Sequence, residues 1–360
     1  MNTRQLLALE TTRRERLWLE KHHPLRQLFW EFTLRCNLSC RHCGSDCRKQ
    51  SSTTDMPLSD FLPVLDDVAT IANPNRVLVN TVGGEPLVRG DILDCGKAIS
   101  SRGFMWGLVT NGVLLTEPLM QDLLSAGLRT MAVSLDGLEP EHNWLRGNSY
   151  AGAMNAIGLL TRTRNFTWDV ITCVNKRNLG TLPQLKQHLV ESGVKKWRIF
   201  SIFPQGRAKL NEELFLSPEQ YLRLMDFIAS TRCEGKIALS YSCEGFLGHY
   251  EGVVRDDIYR CDAGLMTASV LANGDISGCM SIRSHYAQGN IYRDRFSDVW
   301  QNRFEQMRDR RWMKQGECRD CLAWDWCVGG PMHLRGDQGE MLHCNYLTLK
   351  EAGSNVISKK

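Results

Sequence analysis

Residues 28–43 read LFWEFTLRCNLSCRHC, and the change of character inside that stretch decides the fold. Leu28 to Leu34 alternate as a strand does, and the run gives way to a polar loop holding Cys36, Cys40 and Cys43 in the spacing CxxxCxxC. Three thiolates on so short a loop can ligate three irons of a four-iron cubane and leave the fourth iron open to a small molecule. A structural zinc ion asks for four N or S ligands, usually as close pairs. Cys47 offers a fourth thiol for that reading, but CxxxCxxC is not such a pair.

Working outward, the same strand-then-loop unit recurs. Arg76 to Thr81, Met105 to Thr110, Thr130 to Leu135, Thr167 to Val174 and Trp197 to Ile202 are short apolar or β-branched runs. Helical patterns lie between them, such as Leu58 to Ile71, with Ser59 expected as its cap, and Thr116 to Ala126. Repeated βα units imply a parallel sheet. About six of them end near residue 205, fewer than the eight of a closed barrel. A helix opening at Ser217-Pro218 follows, with Tyr221 to Ile228 as its apolar face. The expected division is a helical lead-in over 1–25, a catalytic domain over 26–230, a cysteine-rich domain over 235–350 and a tail over 351–360.

Composition narrows the class further. The 360 residues suit a barrel-sized domain plus a smaller one. With 44 basic against 40 acidic residues the net charge is only +4, so nothing points to nucleic acid or an anionic membrane. No apolar run reaches membrane-spanning length, and the N-terminus is broken by charge, so a cytoplasmic protein is expected. Fourteen cysteines in a reducing compartment read as metal ligands or buried thiols rather than disulfides.

The CxxxCxxC loop, with the aromatic His42 before its last cysteine, resembles that of the radical S-adenosylmethionine (SAM) superfamily. Further segments at strand ends carry the likeness on: Gly83-Gly84-Glu85-Pro86 matches the GGEP motif, and Thr110-Asn111-Gly112 and Ser134-Leu135-Asp136-Gly137 resemble the TNG and SxDG segments. The resemblance implies a partial (β/α)6 barrel, a [4Fe–4S] cluster on the three cysteines, and SAM chelating the open iron and cleaved to a 5'-deoxyadenosyl radical. It also implies that Gly83, Gly84 and Glu85 receive the SAM amino group, that Ser134 and Asn111 line the site, and that Arg146 meets the SAM carboxylate. Two glycines suit close approach of backbone to a ligand and a carboxylate suits an ammonium. For Asn111 and Asp136 loop and helix-cap chemistry is an open alternative. Cys47 is expected not to be a ligand, since a fourth thiolate would exclude SAM.

Toward the C-terminus, Cys318, Cys321 and Cys327 form CxxCxxxxxC, with Cys344 beyond; upstream stand Cys261 and then Gly274 and Cys279 as GxxxxC. This resembles the SPASM extension, which carries auxiliary iron–sulfur clusters. A zinc ribbon is the plainer alternative for such CxxC spacing. Carried over residue by residue, the pattern gives Cys318, Cys321, Cys327 and Cys344 to one auxiliary [4Fe–4S] cluster. Cys261 and Cys279, with Cys243 as a candidate third ligand at a spacing long for the pattern, fall to a nearer cluster that lacks its ligand because Pro331 stands where the family has a cysteine; that cluster is open-sited, differently ligated or absent, and two clusters are expected in all. Cys95, Cys173 and Cys233 read as core thiols, and Trp324 and Trp326 as shielding. The function implied is oxidation or cross-linking of a peptide or protein substrate, with electrons from a donor such as flavodoxin or ferredoxin. Tetrapyrrole side-chain chemistry is the alternative reaction, and a non-catalytic electron carrier the alternative class.

Overall fold

The computed structural model describes residues 3–283 and 285–353; positions 354–360 of the expected tail lie outside these. Helix α1 (Thr3–His22) leads into β1 (Gln27–Thr33). The chain then alternates through α2 (Leu58–Ile71), β2 (Leu78–Gly83), α3 (Ile92–Ser101), β3 (Met105–Thr110), α4 (Glu117–Ser125) and β4 (Leu128–Ser134). It continues through α5 (Glu139–Arg146), α6 (Tyr150–Arg162), β5 (Thr167–Val174), α7 (Leu182–Glu191), β6 (Lys196–Ser201), α8 (Pro218–Glu234) and β7 (Ala238–Tyr241). Strands β1 to β7 pair in chain order, all parallel, so the helices between them form the crossovers, α5 and α6 sharing one, and these strands all end at the same rim.

On the far side of β1 the sheet takes up β8 (Thr267–Val270), parallel to it with Leu28 opposite Ala268, and then β9 (Asp275–Ser277) and β10 (Gly289–Asn290), both antiparallel. The order β10-β9-β8-β1-β2-β3-β4-β5-β6-β7 leaves β10 and β7 as ends, so the sheet is an open partial barrel. All six expected strands are present. Strands β7 and β8 were not foreseen, because ALSY and TASV are too short to show a period. Short helices α9 (Phe296–Asn302), α10 (Glu305–Arg308), α11 (Trp324–Cys327) and α12 (Asn345–Glu351) build the C-terminal region.

The core lies between sheet and helices and is anchored by Trp30, Trp106 and Trp197, each fully buried. Trp30 stacks on Phe61 of α2 with ring centroids 3.9 Å apart. Trp106 donates its indole N–H to Thr81 Oγ1 at 3.1 Å and Trp197 to Thr172 Oγ1 at 2.8 Å, as buried indoles prefer, whereas Trp30 Nε1 has no partner among the described residues. Ser59 does not cap α2. The helix begins at Leu58 after Pro57, with no side-chain cap, so Ser59 sits inside the first turn and donates to Asp60 instead. Ser217 does cap α8, in a reciprocal capping box with Gln220. Cys95 is buried as expected, but Cys233 is exposed, because it falls in the last turn of α8 off the apolar face of Tyr221, Leu224, Met225 and Ile228. Among the described residues no helix is long and apolar enough to cross a membrane.

Candidate active site at the strand ends

The loop after β1 is held from three directions. Gly84 N–H donates to Thr33 O at 2.7 Å and Glu85 N–H to Arg35 O at 2.9 Å, so the turn after β2 lies directly against the base of the loop. A Cβ on Gly83 would stand 2.1 Å from Thr33 O and one on Gly84 2.0 Å from Arg35 O, which leaves room for glycine alone. These glycines thus admit backbone to backbone, where the sequence suggested backbone to ligand. From beyond β6, Arg207 donates through its N–H to Cys43 O at 3.0 Å, through Nε to Cys40 O at 2.8 Å and through Nη1 to Cys47 O at 2.8 Å. From α5, Leu145 O accepts from Arg41 N–H at 2.9 Å. Sequence reading did not single out Arg207, because nothing local to it signals a partner some 160 positions away.

One cavity collects most of the expected SAM residues. Cys36, Cys40 and Cys43 line it with Gly83, Gly84 and Asn111; Ser134 and Arg146 complete the wall, along with His42, Cys47 and Met280. Glu85 is the exception. Its carboxylate is buried beneath the wall and accepts from Thr110 Oγ1 at 2.7 Å, Asn111 N–H at 2.7 Å and Leu87 N–H at 3.1 Å, so it shapes the strand end that presents Asn111. Asn111 in turn reaches Asn37 Oδ1 at 2.8 Å and points Nδ2 at Cys36 Sγ. Arg146 pairs with the fully buried Asp136, which also accepts from Cys173 N–H at 2.7 Å, and its Nη1 faces Cys40 Sγ at 4.0 Å. Asp136 therefore serves as the counter-ion of Arg146 and does not line the cavity.

Electrostatics fit an anionic cluster at this place. Burial pushes Cys36 up to about 11 and Cys40 above its usual value, a cost that metal ligation removes. The hydrogen bond from Cys47 holds the Cys43 thiol well below its usual value. Cys47 N–H also meets Cys43 Sγ at 3.4 Å.

The distal cysteines converge as well. Cys318, Cys321, Cys327 and Cys344 line a second, mostly apolar cavity with Trp324, Leu334 and Tyr346. Donors already point at the sulfurs: Arg335 Nη2 lies 3.2 Å from Cys318 Sγ, Gly330 N–H faces Cys327, and the N–H groups of Tyr346 and Leu347 face Cys344. Such donors to thiolate sulfur are what tune an iron–sulfur centre. Cys261 is buried, Cys279 half-buried and Cys243 exposed; the three lie close enough for their charges to oppose one another, and Met280 beside Cys279 reaches the first cavity. Among the described residues no three His, Cys, Asp or Glu side chains gather tightly enough for a single metal ion.

An open parallel sheet with three thiols at the first strand end, a ligand cavity beside them and a second thiol cavity downstream defines a radical SAM protein with auxiliary iron–sulfur centres. Family models agree: residues 30–189 match the radical SAM superfamily and 261–322 the SPASM iron–sulfur cluster-binding domain. The chain belongs to the radical SAM superfamily and carries a SPASM domain, and its cofactors are SAM and iron–sulfur clusters. It is similar to the AdoMet-dependent heme synthase of Methanosarcina barkeri, 28% identical over 84% of this chain and 90% of the relative. Mycofactocin maturase MftC of Mycolicibacterium smegmatis is 27% identical over 85% of this chain and 77% of its own. In fold it resembles SuiB of Streptococcus suis bound to S-adenosylmethionine, with a TM-score of 0.68 at 17% identity, covering 92% of this chain and 79% of that one. Native anSMEcpe with bound AdoMet gives a TM-score of 0.70 at 19% identity, covering 91% of this chain and 96% of that one. With relatives named synthase and maturase, the chain is an enzyme.

Proposed function

We propose that this enzyme removes hydrogen from a peptide or protein substrate, leading to oxidation or a cross-link. The observation that carries the reading is the single cavity shared by Cys36, Cys40, Cys43, Gly83, Gly84, Asn111, Ser134 and Arg146. In it the three thiolates would hold the cluster and the remaining groups would surround SAM. When bound, cluster and SAM together supply a radical able to take hydrogen from an unactivated C–H bond. The chain's part is to position and exclude. Glu85 keeps the Asn111 loop seated, Asp136 holds Arg146 as a fixed cation at the cavity wall, and Ser134 offers a hydroxyl at the end of β4. Cys318, Cys321, Cys327 and Cys344 would hold the distal auxiliary cluster, and Cys243, Cys261 and Cys279 the nearer one, for electrons leaving the substrate. A cytoplasmic flavodoxin or ferredoxin is the donor that such a site needs.

The likeness to a mycofactocin maturase supports a peptide substrate. The likeness to heme synthases, 28% identical in one case, favours a second reading, a tetrapyrrole whose side chain is modified. Two assays separate them. An iron porphyrin carrying propionates, added anaerobically, should leave 5'-deoxyadenosine formation at its basal rate, while a candidate peptide stimulates it and changes in mass by mass spectrometry. Porphyrin-dependent stimulation would transfer the proposal to the second reading. Replacing Cys36, Cys40 and Cys43 together by alanine should abolish SAM cleavage under strong reductant, and undiminished cleavage would sink both.

A further inference from the structure

The nearer auxiliary site has three thiols and a proline where a fourth would stand, and the fold supplies another donor close by. Pro331 opens a short turn, Met332–Leu334, and this turn is bound to the site: Met332 N–H donates to Cys261 Sγ, and Arg310 clamps Gly330 O at 3.1 Å together with Cys261 O at 3.5 Å. On the turn sits His333, only 8% exposed, whose Nε2 has no hydrogen-bond partner among the described residues, one of eleven buried side-chain polar atoms in that state. Its ring packs on Phe203 with centroids 4.8 Å apart, and Phe203 covers Gly44 of the first cysteine loop. His333 thus sits on a turn bound to Cys261 with its ring toward the first cysteine loop, and Met280, next to Cys279, lines the SAM cavity beside that loop.

A buried imidazole nitrogen left without a partner costs free energy, and native structures seldom tolerate it without a reason. Neutral imidazole is a good ligand for iron, and histidine replaces cysteine on one iron of Rieske centres, raising the potential. We propose that His333, through Nε2, is the fourth protein ligand of the nearer cluster, alongside Cys243, Cys261 and Cys279. The inference rests on the reading that those three thiols hold a cluster. It makes that cluster fully protein-ligated, so it would relay electrons without binding substrate at an open iron.

The test uses full-length protein reconstituted anaerobically with iron and sulfide. Three cubanes give about twelve irons per chain. Pulsed EPR of the reduced protein should show a strongly coupled nitrogen whose signal changes on labelling with 15N-histidine. His333→Ala should lose about four irons, one cubane, and that coupling. His333→Cys should keep the iron, lose the coupling and lower the potential of the centre. Pro331→Cys placed on His333→Ala should restore iron without nitrogen. A folding lesion would take the distal cluster with it, and His333→Cys guards against that. Wild type with about eight irons, or iron and spectra indifferent to His333→Ala, would overturn the proposal. SAM cleavage by the wild type, measured in parallel, tells either failure from a failure of the radical SAM reading.

Discussion

At the residue scale, two positions show how much rests on single groups. Gly84 stands where any Cβ would meet Arg35 O at 2.0 Å, so Gly84→Ala must push the turn off the cysteine loop. The strain of such overpacking is about 1–3 kcal/mol. The visible outcome should be loss of SAM cleavage and of about four irons per chain, one cubane, while the distal cluster stays; full cleavage activity would show that the loop seats itself without the glycine. His142 is the second. Its Nδ1 accepts from Asp136 N–H at 3.1 Å and its Nε2 meets Ser149 Oγ at 2.9 Å, which fixes one neutral tautomer. Burial lowers it from the ordinary 6.5 to about 4. The unfolded chain therefore binds the proton first as pH falls, so the stability contributed by neutral His142 is whole above about 6.5 and drains away toward about 4. By linkage this is about 3 kcal/mol. Denaturant titrations between pH 7 and 4 should show that slope, and His142→Asn should flatten it; an equal slope in both proteins would place the titration elsewhere.

At the scale of elements, α8 joins β6 to β7 and its start is written in the chain. Ser217 Oγ accepts from Gln220 N–H at 3.2 Å and Gln220 Oε1 accepts from Ser217 N–H at 2.9 Å, with Pro218 at the first helical position. Ser217→Ala should cost about 1 kcal/mol, read as a lower denaturation midpoint with unchanged slope. No change would mean that packing of Tyr221, Leu224 and Met225 alone positions the helix. The contrast with α2 is physical: there the proline before the helix, and no side-chain cap, marks its first residue.

Over the whole molecule, the two thiol cavities share no lining residue, so their clusters should be separable. Cys321→Ala should cost about four irons, one cubane, while 5'-deoxyadenosine still forms with a strong reductant; iron analysis and chromatography of the nucleoside check this, and lost cleavage would couple the sites. Besides the pairing of β8 with β1, a part-buried contact joins the halves: Arg283 Nη2 bonds Glu31 Oε1 at 2.6 Å and Ser45 Oγ at 2.5 Å, while Glu31 Oε2 accepts Ala272 N–H at 3.0 Å. The sequence by itself determined the six strands, the parallel order and the cysteine loop, because period, spacing and turn chemistry are local; the grouping of Cys318, Cys321, Cys327 and Cys344 came from the family resemblance, since Cys344 lies too far along the chain for spacing to assign it. Only the tertiary structure decided that Glu85 faces the Asn111 loop, that Asp136 is spent on Arg146, that Arg207 ties down the cysteines and that His333 sits on the turn bound to Cys261. Those facts come from contacts between residues far apart in the chain. Such contacts carry no local signal, since a side chain's partner depends on which strand ends the sheet brings to one rim.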